Sequence, residues 1–225
     1  MQNCTFCNIN PEKYISQNKE CFAIYDINQH AKGHTLIIPK KHRKNFFYLN
    51  KSERKSMYKL TLKTLRFLKK KFSPNHLNLI FNCGKAGNQK IFHCHCHIIP
   101  RYTDPQINLA NSIIQKQKII LRNHQAKLLN AQKPLSKGHL IIATINRNSD
   151  IFSLTDNEFD NLDNLLQRGK ELLDQDFSPD GYNIVINSGL DILEKINTFS
   201  INLIDRYLGD KQEIRNSWAH FFNIG

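Results

Sequence analysis

The sequence predicts an α+β fold built from two similar units, each with an antiparallel sheet and one long helix. Three observations lead to this prediction. The chain of 225 residues repeats itself once, each copy has one stretch with apolar residues at helical spacing, and the other apolar runs are as short as strands. Strands outnumber helices, and Asn-x-Gly turns join them, which is typical of antiparallel sheets.

The repeat has a constant offset of 105 residues. The stretch FSPNHLNLIFNCG begins at Phe72, and FSPDGYNIVINSG begins at Phe177. The same offset, without a gap, places the Lys-Gly-His of 32–34 over the Lys-Gly-His of 137–139. One register that holds across most of a unit is hard to attribute to chance. We therefore interpret the chain as a tandem duplication.

The elements follow the same order in both copies, and we set the domains at 1–110 and 111–225. An apolar strand leads through a polar loop to the helix, a second strand follows the helix, and a final strand follows the Asn-x-Gly turn. The strands that flank the helix are expected at 35–38 and 77–81 in the first domain and at 140–143 and 182–186 in the second.

The helices are expected over 51–71 and 156–173, where apolar residues recur at helical spacing. Each is preceded by an N-cap residue with glutamate three positions later, Asn50–Glu53 and Thr155–Glu158. Both stop before Phe-Ser-Pro, because the residue before proline disfavours helical backbone.

The stretch HCHCHIIPRY carries three histidines at every second position. In a β-strand, His93, His95 and His97 would share one face, with Cys94 and Cys96 on the other. A half-buried strand whose exposed face is rich in histidine is the alternative. That alternative explains one histidine better than three in register, so we assign the three a chemical role.

The second copy keeps the alternation of this strand but not its imidazoles. The offset places Thr198, Ser200 and Asn202 over the three histidines, while the intervening residues stay apolar. A polar residue is also lost, since Ala131 lies over Asp26. The fold needs only the period, so the histidines of the first copy do something beyond folding, and the second copy is interpreted as structural.

Composition narrows the classes of protein. The formal charge is +13, of which residues 1–110 carry +14 and the remaining residues −1. The positive charge of the first domain suits an anionic ligand. Alternatively, the lysines of this domain simply form a solvated helix surface. No apolar run approaches the ~18 residues of a membrane span, and the start has no apolar signal region. We expect a soluble, cytoplasmic protein whose six cysteines bind metal or are simply buried.

The first domain resembles the histidine triad superfamily. The pattern His-φ-His-φ-His-φ-φ is its signature, and CTFCNI, CFAIYDINQHAKGHTLIIPKKH and FNCGKAGNQKIFHCHCHIIPRY resemble its bacterial members. Members are nucleotidyl hydrolases and transferases, most of them homodimers that join two five-stranded sheets. The resemblance implies two histidine-triad-like units that form a pseudo-dimer with a joined sheet within one chain. The protein would then be a monomer with one functional active site.

The same resemblance implies roles for particular residues. His95 would attack the α-phosphate and form a covalent nucleotidyl-histidine, since neutral imidazole is a good nucleophile near pH 7. His97 would bind the non-bridging phosphate oxygens. Asn82 and Gln89 would line the phosphate site, and Asp26 would accept hydrogen bonds from the ribose hydroxyls.

Other positions are less typical of the family. Ile24 and Ile27 would form part of an apolar base slot, with plain core positions as the alternative. Lys90 replaces the usual Ser or Thr beside the glutamine, so it would bind phosphate, but it leaves protonation of the leaving group open. Asn88 replaces a glycine, and Asn tolerates left-handed backbone better than other residues with a side chain.

A Cys-x-x-Cys pair at the start provides a second motif. By resemblance to bacterial family members, Cys4, Cys7, His42 and His93 form a Cys₂His₂ set that suits tetrahedral zinc in a structural role. A reduced pair without metal is the alternative. The second copy has neither cysteine, and Arg147 replaces the aligned His42.

Three functions are therefore weighed. The leading one is a hydrolase or transferase that cleaves a nucleoside phosphoramidate or dinucleoside polyphosphate at the α-phosphate, with a purine nucleotide as the substrate. The second is a nucleotide-binding protein with little turnover. The third is removal of adenylate from nucleic-acid ends, ranked last because the chain lacks the C-terminal zinc finger of that family branch.

Overall fold

The computed structural model describes residues 4–102, 118–132, 134–146, 150–189 and 199–210. Two long helices, α1 (Lys51–Phe72) and α2 (Asp156–Phe177), accompany a sheet of ten strands. The strands are β1 (Ser16–Gln17), β2 (Cys21–Tyr25), β3 (Thr35–Pro39), β4 (His76–Cys83), β5 (Cys96–Arg101), β6 (Ile119–Arg122), β7 (Ala126–Asn130), β8 (Leu140–Thr144), β9 (Gly181–Gly189) and β10 (Ser200–Arg206).

The sheet is antiparallel throughout, in the order β1-β2-β3-β5-β4-β9-β10-β8-β7-β6. The first five strands in this order come from the first half of the chain and the last five from the second. The halves meet at β4 and β9, which pair from His76↔Gly189 to Cys83↔Tyr182. The α+β fold with a joined sheet is confirmed.

The two halves match at the level of single residues. Each helix has 22 residues and starts with a capping box, on Asn50 in α1 and Thr155 in α2. Each ends at a serine with left-handed backbone, Ser73 at φ 48° and Ser178 at φ 46°. These pairs all differ by the predicted offset, so the repeat in the sequence is a repeat in the structure.

Both helices lie on one face of the sheet. The main core joins α1 and α2 to the side chains that this face presents, among them Cys94, Cys96 and Ile98. The opposite face of the first half carries a smaller cluster, with Phe22 and Leu36 among its members. The histidines alternate with the buried cysteines, so they lie on the face that the helices leave open.

The helices also contact each other across the two halves. Arg54 of α1 forms an ion pair with the buried Asp163 of α2, with 2.7 Å between Nε and Oδ1. Tyr58 stacks on Phe159 at 4.3 Å between ring centroids. The lysines of α1 face the acidic start of α2, and Lys55 lies 3.2 Å from Asp156. The charge difference between the halves is thus partly neutralised inside the molecule.

Within the described part of the chain, no helix is long and apolar enough to cross a membrane. Three predicted features lie outside the described residues: the boundary between 110 and 111, Arg147 and Thr198.

Candidate active site

The three histidines lie on one face, but only His97 is part of a strand. β5 begins at Cys96, so the prediction of a strand through 93–95 is too long. The backbone there bonds elsewhere: the Cys94 N–H donates to the carbonyl of Arg43 at 2.6 Å. Alternation nevertheless continues, because Cys94 and Cys96 enter the core. The imidazoles of His95 and His97 are neighbours, with 4.9 Å between ring centroids.

His95 is held in one tautomer. Its Nδ1 lies 2.7 Å from the carbonyl oxygen of His93, so Nδ1 carries the proton and donates it, and Nε2 keeps the free lone pair. The side chain is buried beside the edge of Phe6. Burial lowers the pKa of His95, although the His93 carbonyl opposes this shift. The ring is thus neutral near pH 7.

His97 is oriented by His34, a residue that the sequence analysis did not assign. The backbone N–H of His30 donates to His34 Nδ1 at 3.3 Å, so His34 carries its proton on Nε2. That nitrogen lies 3.0 Å from His97 Nδ1 and donates to it. His97 therefore carries its own proton on Nε2, as a donor. Burial lowers the pKa of His34 to about 4 and also lowers that of His97.

The second half has the same arrangement with one substitution. The N–H of Leu135 donates to His139 Nδ1 at 3.3 Å, and His139 Nε2 lies 3.0 Å from Asn202 Oδ1. An amide oxygen can only accept, so His139 donates from Nε2, which supports the same assignment for His34. The repeated Lys-Gly-His was the signal for this residue in the sequence.

Asp26 lies close to these rings. Its Oδ1 accepts from the N–H of Asn28 at 2.9 Å, while Oδ2 lies 3.6 Å from His34 Nε2 and 3.8 Å from His97 Nδ1. These distances exceed normal hydrogen bonds. The Asp26 carboxylate and the two imidazole nitrogens lie within 4.8 Å of one another, but the hydrogen bond between His34 and His97 occupies both nitrogens.

Asn82 lies at the end of β4 on the histidine face. The last paired residues of β4 and β5 at this end are Phe81 and Cys96. Asn82 follows Phe81 and His95 precedes Cys96, so the two residues lie next to each other just beyond this pair. Asn82 is buried, and its Oδ1 accepts from Asn183 Nδ2 at 2.8 Å. The structure thus brings Asn82 to the triad.

Gln89 stabilises the loop after β4. Its Oε1 accepts from the N–H of Gly84 at 2.9 Å, and its Nε2 donates to the carbonyls of Lys44 and Ile91 at 2.7 and 3.0 Å. All its amide hydrogens are thus used within the protein, a role that the sequence did not indicate. Asn88, beside it, adopts left-handed backbone with φ 62°, which asparagine tolerates better than other residues with a side chain.

Lys90 and the two isoleucines differ in exposure. Lys90 is exposed at the rim of the same loop. Ile24 is buried in the small cluster with Phe22 and Leu36, whereas Ile27 is 91% exposed. Ile24 therefore also has a core role, and Ile27 is free to contact a ligand.

Cys4, Cys7, His42 and His93 form a second group that could hold a metal ion, with ligand atoms within 4.8 Å of one another. His93 Nδ1 lies 3.4 Å from Cys4 Sγ and 3.5 Å from Cys7 Sγ. His93 Nε2 donates to the carbonyl of Pro39 at 2.8 Å, as ligating histidines usually do with their second nitrogen. Two sulfurs and two imidazole nitrogens suit tetrahedral zinc.

Sequence comparison identifies the family of this chain. The sequence model of the HIT domain matches residues 8–104. "Protein hit" of Bacillus subtilis is 37% identical over 105 residues, which cover 45% of this chain and 72% of that protein. The chain belongs to the HIT family.

Likeness to solved structures extends to the second half. A "galt-like protein" from Arabidopsis thaliana has a TM-score of 0.77 at 12% identity and covers 95% of this chain and 85% of its own. An ADP-glucose phosphorylase from the same organism, solved with bound ADP-glucose, has a TM-score of 0.74 at 11% identity and covers 89% of this chain and 77% of its own. At such identities the likeness shows the fold alone, and this fold spans two HIT-like units.

Proposed function

We propose that this HIT protein is a nucleotidyl hydrolase or transferase that cleaves a nucleoside phosphoramidate or a dinucleoside polyphosphate at the α-phosphate. The observation that carries the proposal is the hydrogen bond from His95 Nδ1 to the His93 carbonyl. It leaves Nε2 as a fixed, unprotonated nitrogen beside Asn82 and His97, which is what nucleophilic attack on phosphorus needs.

The reaction proceeds in two displacements. The Nε2 lone pair of His95 forms a bond to the α-phosphorus, and the P–N or P–O bond to the leaving group breaks. Its electron pair goes to the leaving nitrogen, which takes up a proton from solvent and departs as the amine, or to the polyphosphate oxygen. Water or another acceptor then attacks the same phosphorus. The bond to Nε2 breaks, its electron pair returns to His95, and the acceptor proton passes to solvent. One difficult step becomes two easier ones.

His97 and Asn82 stabilise the charge that develops on phosphorus. His97, with its proton on Nε2, donates to a non-bridging oxygen, and the Asn82 amide donates from the neighbouring strand. Both groups are held in place before the substrate arrives, so little reorganisation is needed in the transition state. Asp26 accepts from the ribose hydroxyls, Lys90 binds further phosphates, and Ile24 and Ile27 contact a purine base. Gln89 contributes by fixing the loop.

We further propose that Cys4, Cys7, His42 and His93 bind a structural zinc ion. The ion would attach the N-terminal segment to the strand region that precedes His95. Since Phe6 of that segment packs on both His93 and His95, the metal would also hold the wall of the nucleophile's pocket. The ion would stabilise the structure and would take part in no reaction step.

Two alternatives stay weaker. A binding protein with little turnover does not need the His95 and His97 tautomers to be fixed. Removal of adenylate from nucleic acid draws on the basic first half, but Lys51, Lys55 and Lys59 already face acidic residues of α2. Strong salt dependence of DNA affinity would favour it.

The test is intact-mass spectrometry after rapid mixing with adenosine phosphoramidate, diadenosine polyphosphate or ADP-glucose, with neutral quenching. We expect an adenylyl adduct that maps to His95 and is absent in His95→Ala and His95→Gly. Ser200→Ala is the matched control, because Ser200 occupies the aligned position in the second half. Absence of an adduct and of product, with AMP still bound, would favour the binding protein.

A further inference from the structure

The half that lacks the triad contacts the phosphate site of the other half. β9 pairs with β4 in a register that sets Asn183 directly opposite Asn82. Asn183 Nδ2 donates to Asn82 Oδ1 at 2.8 Å and to the carbonyl of Gly87 at 2.9 Å. Asn183 is 2% exposed, so these bonds form away from water.

β9 also packs closely against the loop after β4. A Cβ on Gly181, the first residue of β9, would lie 2.5 Å from the carbonyl oxygen of Cys83 and 2.9 Å from the Gly87 nitrogen. A Cβ on Gly87 would overlap the carbonyl oxygen of Tyr182. Neither glycine can carry a side chain unless backbone moves, so the second half determines the position of the loop after β4.

Arg206 determines which way the Asn183 amide points. Its Nη1 lies 2.8 Å from Asn183 Oδ1, and a guanidinium can only donate. The oxygen of Asn183 must therefore face Arg206, and the nitrogen must face Asn82. Asp210 holds the guanidinium from the other side, at 2.9 Å from Nε. Arg206 is 2% exposed, so the orientation is set in the interior.

The orientation of the Asn183 amide in turn determines the orientation of the Asn82 amide. With Asn183 Nδ2 as its neighbour, Asn82 must present Oδ1 to β9, because two amide nitrogens would otherwise face each other as donors. Its own Nδ2 then points away from β9 and has no hydrogen-bond partner among the described residues. A donor without a partner is thus left on the face that carries His95 and His97.

We propose that Asn183, oriented by Arg206, is a positioning residue of the active site. The triad-less half fixes the Asn82 amide with its N–H groups toward the nucleotide phosphate. This inference rests on the proposed role of Asn82 at the phosphate. According to this inference, the second half contributes to catalysis by positioning Asn82, although the second half has no triad histidine.

The repeat supplies a matched control. Asn78 lies at the equivalent position of the first half, is also 2% exposed, and accepts from Arg101 Nε at 2.7 Å. In the central pair of strands, Asn78 lies opposite Asn187, which belongs to the half without the triad. The same substitution at Asn78 and at Asn183 therefore disturbs the equivalent arginine contact, but only Asn183 lies opposite Asn82 of the site with the triad.

The experiment measures adduct formation with adenosine phosphoramidate by quenched flow in Asn183→Asp and Asn78→Asp. A carboxylate at Asn183 still pairs with Arg206 but turns the Asn82 amide, so that an oxygen would face the phosphate. We expect a loss of about 10²-fold for Asn183→Asp, as for a lost oxyanion donor, and less than ~3-fold for Asn78→Asp. Asn183→Ala and Asn78→Ala repeat the comparison without new charge, with about 10-fold expected at Asn183.

A double variant separates positioning from general damage. In the Asn82→Ala background, Asn183→Asp should cost less than ~3-fold further, because the amide that it orients is gone. Equal losses at Asn78 and Asn183, a full additional loss in the Asn82→Ala background, or a wild-type rate in Asn183→Asp would each overturn the inference.

AMP affinity, measured by calorimetry, judges the inference separately from the proposed function. If the wild-type protein forms no adduct, the proposed function fails. The inference then holds if AMP binds more weakly to Asn183→Asp but normally to Asn78→Asp. It is overturned if both variants bind AMP like the wild type, or if the wild type does not bind AMP.

Discussion

His139 makes the stability of the second half depend on pH. Burial lowers its pKa from 6.5 to about 4, against the opposing effects of the hydrogen bond to Asn202 and the charge of Asp205. Between these two values the unfolded chain binds a proton that the folded chain does not, so the unfolding free energy rises with pH. The contribution is complete above pH 6.5 and is lost as the pH falls to 4. A difference of 2.5 in pKa amounts to about 3 kcal/mol.

The substitution His139→Gln removes this titration and still allows donation to Asn202. We expect urea unfolding, followed by circular dichroism, to show a variant that is less stable than wild type at pH 7. Toward pH 4 the gap should close by about 3 kcal/mol. The other acid-sensitive groups are common to both proteins and cancel in the difference. Parallel stability curves for the two proteins over pH 4–7 would refute the reasoning.

Two further predictions concern the metal content and the ion pair between the helices. Elemental analysis should find one zinc per chain in the wild type and none in the double variant Cys4→Ser/Cys7→Ser, whereas Cys83→Ser, in the core, should keep the metal. Urea unfolding should show a loss of about 3–5 kcal/mol for Arg54→Met, which leaves Asp163 buried without its cation, and a near-zero change for the exposed Lys59→Ala. Equal metal content in both cysteine variants, or equal stability of Arg54→Met and Lys59→Ala, would contradict these expectations.

Local patterns predicted the repeated elements well. Apolar spacing and the capping boxes gave the start of both helices, and α1 ends one residue beyond its predicted end. α2 runs to Phe177 instead of 173, because the prediction followed the last apolar residue while the helix continues to the left-handed serine. Helix ends depend on backbone capping more than on apolar contacts. The strand through 93–95 was predicted too long, since alternation of side chains does not require ladder hydrogen bonds.

Contacts between distant segments could not be predicted in the same way. Asn183 and Asn82 are 101 residues apart, and only the central pairing of β4 with β9 makes them neighbours. The hydrogen bonds of Gln89 depend likewise on where Lys44 lies in space. The alternation of the triad, in contrast, is a local property, and it identified the histidine face without a structure. The sequence thus located the chemistry, while the orientation of its groups came from tertiary contacts.

The comparison of the halves separates what the fold needs from what the reaction needs. His34 and His139 make the same two bonds, so an imidazole that donates from the residue just before β3 or β8 is retained without a triad. What differs is the acceptor. In the second half an amide oxygen of Asn202 ends the chain of hydrogen bonds. In the first half the acceptor is an imidazole, and accepting at Nδ1 forces its proton onto Nε2, where the site can use it. The hydrogen bond that His139 donates to Asn202 has a structural role. The equivalent bond from His34 sets the tautomer of His97, because the acceptor there is an imidazole and not an amide.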